Sequence, residues 1–336
     1  MSMKTIYLVN GVTKTSIPWR WANYFNERSK INEIELLSIR NLRAKFFEIK
    51  NEVQIVHGHH IKAMALFLLS NVMLRKKTVY TVHGSYLFLS KTNAKLLKFI
   101  FKHTDKIIFV NKMLYDVIPD EMKSLITNKY EVILNGVETD YRYIKSDVYQ
   151  KFNINETDIN CFHPARFVPE KNHLRVISAF KPLIDNNPKI KLILAGDGKL
   201  KEQINAHIEA LNLQNNIICL GLIERDEVYN FLERCDLFLM PSVSEGLNIA
   251  FLEAISMKTK VVVSDIEQFV YPLQAYNLNP DALNVTFVNP LDEREMSKGI
   301  AFALEKEKQL GYDGSDFSLE TMMKRYEVIY RNLVVL

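Results

Sequence analysis

The 336 residues are 48% hydrophobic and 24% charged with a net charge of +4, the composition of a globular protein large enough for two domains. No apolar run reaches the ~18 residues that a membrane-spanning helix needs. The longest, Ala63 to Leu74, carries Ser70 and Asn71 and stops at Arg75-Lys76-Lys77, while Cys161, Cys219 and Cys235 are too scattered for a disulfide framework or zinc site and point to a reducing cytosol.

Lys4 to Asn10 reads as an apolar strand running into Gly11 and the polar turn Val12 to Pro18, too brief for a secretory signal. It has the βα layout of a substrate-binding loop but lacks the G-x-G-x-x-G spacing. Gln54-Ile55-Val56 is a second strand, ending in His57-Gly58-His59-His60, and Thr78 to Val82 a third, ending in His83-Gly84-Ser85. Lys106 to Val110 ends at Asn111-Lys112, and Glu131 to Leu134 ends at Asn135-Gly136-Val137. Strands alternating with helical stretches, each ending in polar residues, predict a doubly wound α/β domain with its site along that edge. For His57, His59 and His60, strand-end packing and an acceptor contact both remain open.

The stretch Tyr141 to Asp158 is polar and aperiodic, and the charge balance changes sign nearby. Residues 1–155 hold 24 Lys and Arg against 13 Asp and Glu, and residues 156–336 hold 19 against 26. A linker here separates an expected N-terminal domain, 1–155, from a C-terminal domain, 156–318. An amphipathic helix over 319–336 is expected to pack back on the first domain. The basic half suggests contact with an anionic surface.

The second half opens with a strand at Cys161 to Ala165 and the loop Arg166 to Lys171, followed by a helix over Asn172 to Ile184. Ile190 to Ala195 is a strand ending in Gly196-Asp197-Gly198, and a helix then runs to about Leu211. Ile217 to Leu220 is another strand, running into Gly221 and Leu222, and Asp226 to Glu233 is helical. Leu237 to Met240, the loop Pro241 to Gly246, a helix carrying Glu253 and the strand Val261 to Val263 then form one βαβ unit. Unpaired N–H groups of Gly246, Leu247, Asn248 and Ile249 at that helix entrance are suited to an anion. Glu245 and Glu253, about two turns apart, are suited to hydroxyls. A sugar nucleotide presents both.

These residues resemble glycosyltransferase family 4, the retaining transferases of the GT-B fold that serve bacterial cell-surface polysaccharides. Pro241-Ser242, Glu245, Glu253 and Val261 to Ser264 are similar to its signature of two glutamates eight apart before a V-V-x-S strand. Arg166 and Lys171 match the spacing of its G-R-x-x-x-x-K loop, Gly196-Asp197-Gly198 its G-x-G turn, Thr81 to Gly84 its T-x-H-G, and Asn135-Gly136-Val137 its N-G-V. The resemblance implies two Rossmann-like domains facing each other across a cleft. It implies that Arg166 and Lys171 neutralise the donor pyrophosphate, that Glu253 accepts the ribose hydroxyls, that Glu245 holds the transferring sugar, and that His83 reaches that sugar. Gly11, Gly196, Gly198 and Leu222 join the donor site with residues 246–249.

Three departures bear on specificity. The usual E-G-F-G-L is Glu245-Gly246-Leu247-Asn248-Ile249, so Asn248 adds a side chain beside the donor sugar. The usual G-x-P is Lys258-Thr259-Lys260, and the first loop has a single glycine. The chain holds no D-x-D triplet, so the expectation is a transferase without metal or other cofactor, in which cations replace Mg²⁺.

On a helical wheel Lys91, Lys95, Lys98 and Lys102 share one face, opposite Leu96, Leu97, Ile100 and Phe101. With His59 they mark an expected acceptor or membrane side resting on anionic lipid. The overall expectation is transfer from a nucleotide-sugar, favouring UDP, to a lipid-linked saccharide by a cytoplasmic protein at the inner face of the cell membrane. Nucleic acid is not expected. The alternatives are an inactive nucleotide-sugar binding partner and a GT-B epimerase or phosphorylase.

Overall fold

A computed structural model describes residues 3–11, 16–29, 32–139, 143–245, 249–312 and 314–335. Its contacts divide the chain into two units, residues 1–136 with 319–336, and residues 137–318.

The first unit carries six strands, β1 (Met3–Val9), β2 (Asn32–Ser38), β3 (Ile55–Gly58), β4 (Lys77–Val82), β5 (Lys106–Phe109) and β6 (Tyr130–Val132). Its helices before the crossing are α1 (Ile17–Arg28), α2 (Phe46–Glu52), α3 (Ile61–Leu74), α4 (Lys91–His103) and the short α5 (Lys112–Asp116) and α6 (Asp120–Lys123). The strands are parallel in the order β2-β1-β3-β4-β5-β6, with Tyr7 in register with Leu36 on one side and His57 on the other. The strand cores are apolar on both faces, as helices on both sides of a parallel sheet require.

The second unit carries β7 (Ile159–Pro164), β8 (Ile190–Ala195), β9 (Ile217–Gly221), β10 (Leu237–Met240), β11 (Val261–Ser264) and β12 (Val285–Val288). Its helices are α7 (Val148–Lys151), α8 (His173–Asn186), α9 (Lys201–Ala210), α10 (Arg225–Arg234), α11 (Ile249–Ser256), α12 (Glu267–Ala275) and α13 (Glu293–Glu305). The strand order is β12-β11-β10-β7-β8-β9, again all parallel. The order reverses at β10/β7, as it does at β1/β3 in the first unit. Ligands of doubly wound sheets bind at such switch points, beyond the strand C-termini.

The last helix, α14 (Leu319–Val335), belongs to the first unit. Leu319, Met322, Met323, Tyr326, Ile329 and Tyr330 are all buried, the i, i+3, i+4, i+7 stripe of a helix laid on a core. Its two tyrosines meet polar strand residues. The His57 ring lies 2.6 Å from the Tyr330 hydroxyl and 2.7 Å from Thr81 Oγ1, and Tyr330 bonds Tyr7 at 3.2 Å.

Three features differ from the sequence expectation. Contacts divide the chain after Gly136, not after residue 155. The polar stretch beyond it is held to α10: Ser146 N–H donates to Asn230 Oδ1 at 3.0 Å, the Tyr143 hydroxyl to Glu233 at 2.7 Å, and Arg234 to Asp147 at 2.7 Å. The edge strands β2 and β12 had no clear sequence signal, because β2 mixes Asn32, Glu33 and Glu35 with its apolar residues and β12 is only four residues long. On α4 the apolar side is not free for lipid: Leu97, Ile100 and Phe101 lie in the core and Leu96 packs against it, leaving the four lysines as an exposed rim.

Candidate active site

In the second unit, two loops meet at the β10/β7 switch point. The loop after β7 is pinned from both sides. Phe167 N–H donates to Asp197 O at 2.9 Å, and Leu200 N–H returns to Phe167 O at 3.1 Å. Gly196 and Gly198 allow this contact. At φ +153° and +156°, a β-carbon there would stand 2.0 Å from Ala165 O and 2.6 Å from Phe167 O. The glycine turn therefore works first as a seat for the arginine loop.

The loop after β10 is tied to the same region. Val243 N–H donates to Glu170 O at 2.9 Å, and the Asn172 side-chain amide donates to Pro241 O at 3.0 Å and Pro290 O at 2.7 Å. Asn172 adopts a left-handed φ of 64°, a conformation that asparagine tolerates, and so ends the lysine loop and begins α8. The His163 ring lies 2.8 Å from Leu239 O and 3.2 Å from Lys171 O, bridging β10 to the lysine backbone. Burial pushes its pKa down to about 4, against the pull of both carbonyls.

These ties place Lys171 against Glu245. The ammonium donates to Glu245 Oε1 at 2.5 Å, and only 15% of the lysine side chain and 4% of the glutamate side chain is exposed. Arg166, on the same loop, is exposed, and its guanidinium has no hydrogen-bond or ion-pair partner among the described residues. Two cations and a carboxylate thus share one strand edge. Gly246, Leu247 and Asn248 lie outside the described residues, and Ile249 begins α11.

Glu253, one turn into α11, is buried and already engaged. It accepts from Arg225 of α10 and from the Tyr229 hydroxyl at 3.0 Å. Burial is the largest influence on Arg225 and opposes its charge, but the Glu253 carboxylate, the Tyr229 hydroxyl and Glu138 together outweigh it and hold the guanidinium pKa above its ordinary value. Sequence reading missed Arg225. Its one local signal is the i, i+4 spacing to Tyr229, whose ring it also covers, with the guanidinium carbon 5.1 Å from the ring centroid. Leu222, just past the left-handed Gly221, is 80% exposed beside the same strand edge.

In the first unit the C-termini of β1, β3 and β4 surround a pocket of about 420 Å³ lined by Asn10, His59, His60, Lys62, His83 and Asn93, among others. Gly11 follows at the end of β1, with nothing within 4 Å of where a β-carbon would stand. His59 Nδ1 lies 3.0 Å from His83 Nε2. Burial pushes His83 down to about 4 and His59 well below the usual histidine range, so one neutral ring donates and the other accepts. His57 points away into the core network with Tyr330 and Thr81 and takes no part in the pocket. Among the described residues, no three His, Cys, Asp or Glu side chains converge as a metal site.

Residues 145–312 match the profile of the family described as "Glycosyl transferases group 1", and residues 19–141 match "Glycosyltransferase Family 4". An uncharacterised glycosyltransferase of Methanocaldococcus jannaschii is 30% identical over 275 residues, covering 79% of this chain and 70% of that protein. The UDP-Gal:alpha-D-GlcNAc-diphosphoundecaprenol alpha-1,3-galactosyltransferase of Escherichia coli is 30% identical over 234 residues, 65% of this chain but only 59% of that enzyme. Anabaena HepE, crystallised with UDP, shares the fold at a TM-score of 0.76 and 17% identity, over 98% of this chain and all of that one. With both halves matched and a 30%-identical relative spanning most of its length, the chain belongs to the family 4 glycosyltransferases, on the two-domain GT-B fold.

Proposed function

We propose that this glycosyltransferase moves a hexose or N-acetylhexosamine, with retention of anomeric configuration, from a UDP-sugar to a lipid-linked saccharide. The setting is assembly of a cell-surface polysaccharide, such as capsule or lipopolysaccharide, at the inner face of the cell membrane. The observation that carries this reading is the Lys171–Glu245 pair at the β10/β7 switch point with Arg166 beside it. The named donor and acceptor of the Escherichia coli relative and the UDP bound to Anabaena HepE point the same way.

Arg166 and Lys171 bind the donor pyrophosphate and take up the charge that grows on it as the leaving group departs, a task done elsewhere by Mg²⁺. Glu253 receives the ribose hydroxyls. Glu245 accepts hydroxyls of the transferring sugar and orients its anomeric carbon. The bond from that carbon to the phosphate oxygen breaks while the bond to the acceptor oxygen forms on the same face. The acceptor proton passes to the departing phosphate oxygen, so no protein base is required. His83 meets the transferring sugar, and His59, bonded to it, forms with His60 a hydroxyl-binding wall for the acceptor saccharide; neutral at pH 7, the three exchange hydrogen bonds without adding charge.

The test is incubation of the purified protein with a panel of nucleotide sugars and a diphospholipid-linked saccharide. Product anomeric configuration is then read by NMR. Transfer from a UDP-sugar to give the donor's own anomer is expected; an inverted product, or donor binding without turnover, contradicts the proposal.

A further inference from the structure

His59 follows the C-terminal end of β3, with its backbone N–H donating to Leu8 O at 3.0 Å. Its ring is enclosed by other rings. Tyr7 lies 4.6 Å away between centroids, Trp21 5.9 Å away in a T-shaped contact, and His57 4.2 Å away at 31° from parallel. His57 cannot turn, because the Tyr330 and Thr81 hydroxyls engage both of its nitrogens. His59 is therefore held in one orientation. Its Nδ1 lies 3.0 Å from His83 Nε2, and its Nε2 is buried with no hydrogen-bond partner.

This geometry decides what His83 offers to a substrate. Its Nε2 is taken by His59, while its Nδ1 has no hydrogen-bond partner among the described residues. Both rings are neutral, so each carries one N–H, and the pair can share its protons in two ways. If His83 Nε2 donated, the His59 proton would stand on Nε2, an N–H sealed away from any acceptor. If His59 Nδ1 donates, the sealed atom is a bare lone pair and His83 carries its proton on Nδ1. Buried donors without an acceptor are rarer in folded proteins than under-used acceptors. The second arrangement wins, although an imidazole side chain free in water prefers its proton on Nε2.

We infer that His59 is a positioning residue for His83: by donating to Nε2 it locks His83 in the Nδ1–H tautomer, so that His83 meets the transferring sugar as a hydrogen-bond donor. A donor at that point suits a sugar hydroxyl or ring oxygen. It also removes His83 as a base, since one nitrogen already holds a proton and the other already accepts one. This inference rests on the proposed contact between His83 and the transferring sugar.

Nitrogen-15 NMR of histidine-labelled protein at neutral pH tests it without substrate, because each ring nitrogen reports whether it carries a proton. In the intact protein His83 is expected to show a proton on Nδ1 and a bare Nε2. His59→Phe keeps a ring in the same enclosure but removes the donor. His83 should then revert to the Nε2–H form, and transfer should fall ~10-fold, the worth of one neutral hydrogen bond, at an unchanged melting temperature. His59→Asn returns an amide N–H near the place of Nδ1 and should restore the tautomer and most of the rate. If His59→Phe fails to fold, the intact spectrum and the asparagine variant decide. The inference is overturned if His83 carries its proton on Nε2 in the intact protein, or if His59→Phe transfers at the intact rate. An asparagine variant in which His83 leaves the Nδ1–H form overturns it too. The two readings fail separately. A locked Nδ1–H tautomer in a protein that transfers nothing removes the transferase proposal and leaves the lock, whereas transfer with His83 in the Nε2–H form removes the lock alone.

Discussion

The Lys171 ammonium donates to Glu245 Oε1 at 2.5 Å in a position with little access to water. Each charge there depends on the other for solvation. Removing one leaves its partner uncompensated, a loss of about 3–5 kcal/mol where burial is complete and less at the lysine, which keeps 15% exposure. Lys171→Ala and Glu245→Ala should each lower stability in urea unfolding. The double variant should lose less than the sum of the singles, with a coupling of about 1–3 kcal/mol. Strict additivity would mean that the pair is a solvated contact.

The Arg225–Glu253 contact predicts a split between kinetic constants. If Arg225 aims the carboxylate at the donor ribose, it acts on binding before chemistry. Arg225→Ala should then raise the donor KM about tenfold with a smaller change in kcat. Arg225→Lys should recover only part of this, because an ammonium lacks the planar fork that spans Glu253 and Tyr229. An unchanged donor KM and a lower melting temperature would assign Arg225 to stability alone.

Gly196 and Gly221 make a matched comparison. A β-carbon at Gly196 meets Ala165 O at 2.0 Å, whereas at Gly221, φ +72°, it meets nothing within 4 Å. Gly221→Asn should cost about 1 kcal/mol of backbone strain or less. Gly196→Ala must shift the Arg166 loop, so it should cost more than ~2 kcal/mol and weaken donor binding as well. Equal effects at the two positions would show that the glycine turn does not seat the loop.

Acid should destabilise both units. Burial lowers the pKa of His57, His59, His60 and His83 in the first unit, and of His163 and His173 in the second. Each binds its proton more readily unfolded, near pH 6.5, than folded, near pH 4 for His83 and His163. The unfolded state therefore holds more protons between those values, and stability is full above pH 6.5 and falls as pH drops toward 4. Melting temperature should decline steadily from pH 7 to pH 5. A flat profile across that window would contradict the neutral His59–His83 pair.

Much of this was legible in the sequence wherever chemistry is carried by residues near one another in the chain. β-branched runs ending in Gly, His or Asn located most strands and put His83, Arg166, Lys171 and Glu245 at strand ends. Edge strands β2 and β12 were not legible, because Asn32, Glu33 and Glu35 break up the apolar pattern of β2 and β12 is only four residues long. The unit boundary was misplaced because a change in charge balance does not report which backbone groups bond to α10. Arg225 was missed because its partner lies 28 residues further along and no local pattern joins them. The helical wheel correctly exposed the lysines of α4. It was silent on α3, whose apolar residues surround the helix so evenly that only packing decides which side is left over.

The central claim is that the Lys171–Glu245 edge, and not a metal ion, carries donor cleavage. It is tested most directly by nucleoside diphosphate release in EDTA, with donor and lipid-linked acceptor present, for the intact protein and for Lys171→Met. The account predicts undiminished release in EDTA by the intact protein and a fall of about 10²–10³-fold for the variant. Release that EDTA abolishes and Mg²⁺ restores, or a variant that turns over as fast as the intact protein, would contradict it.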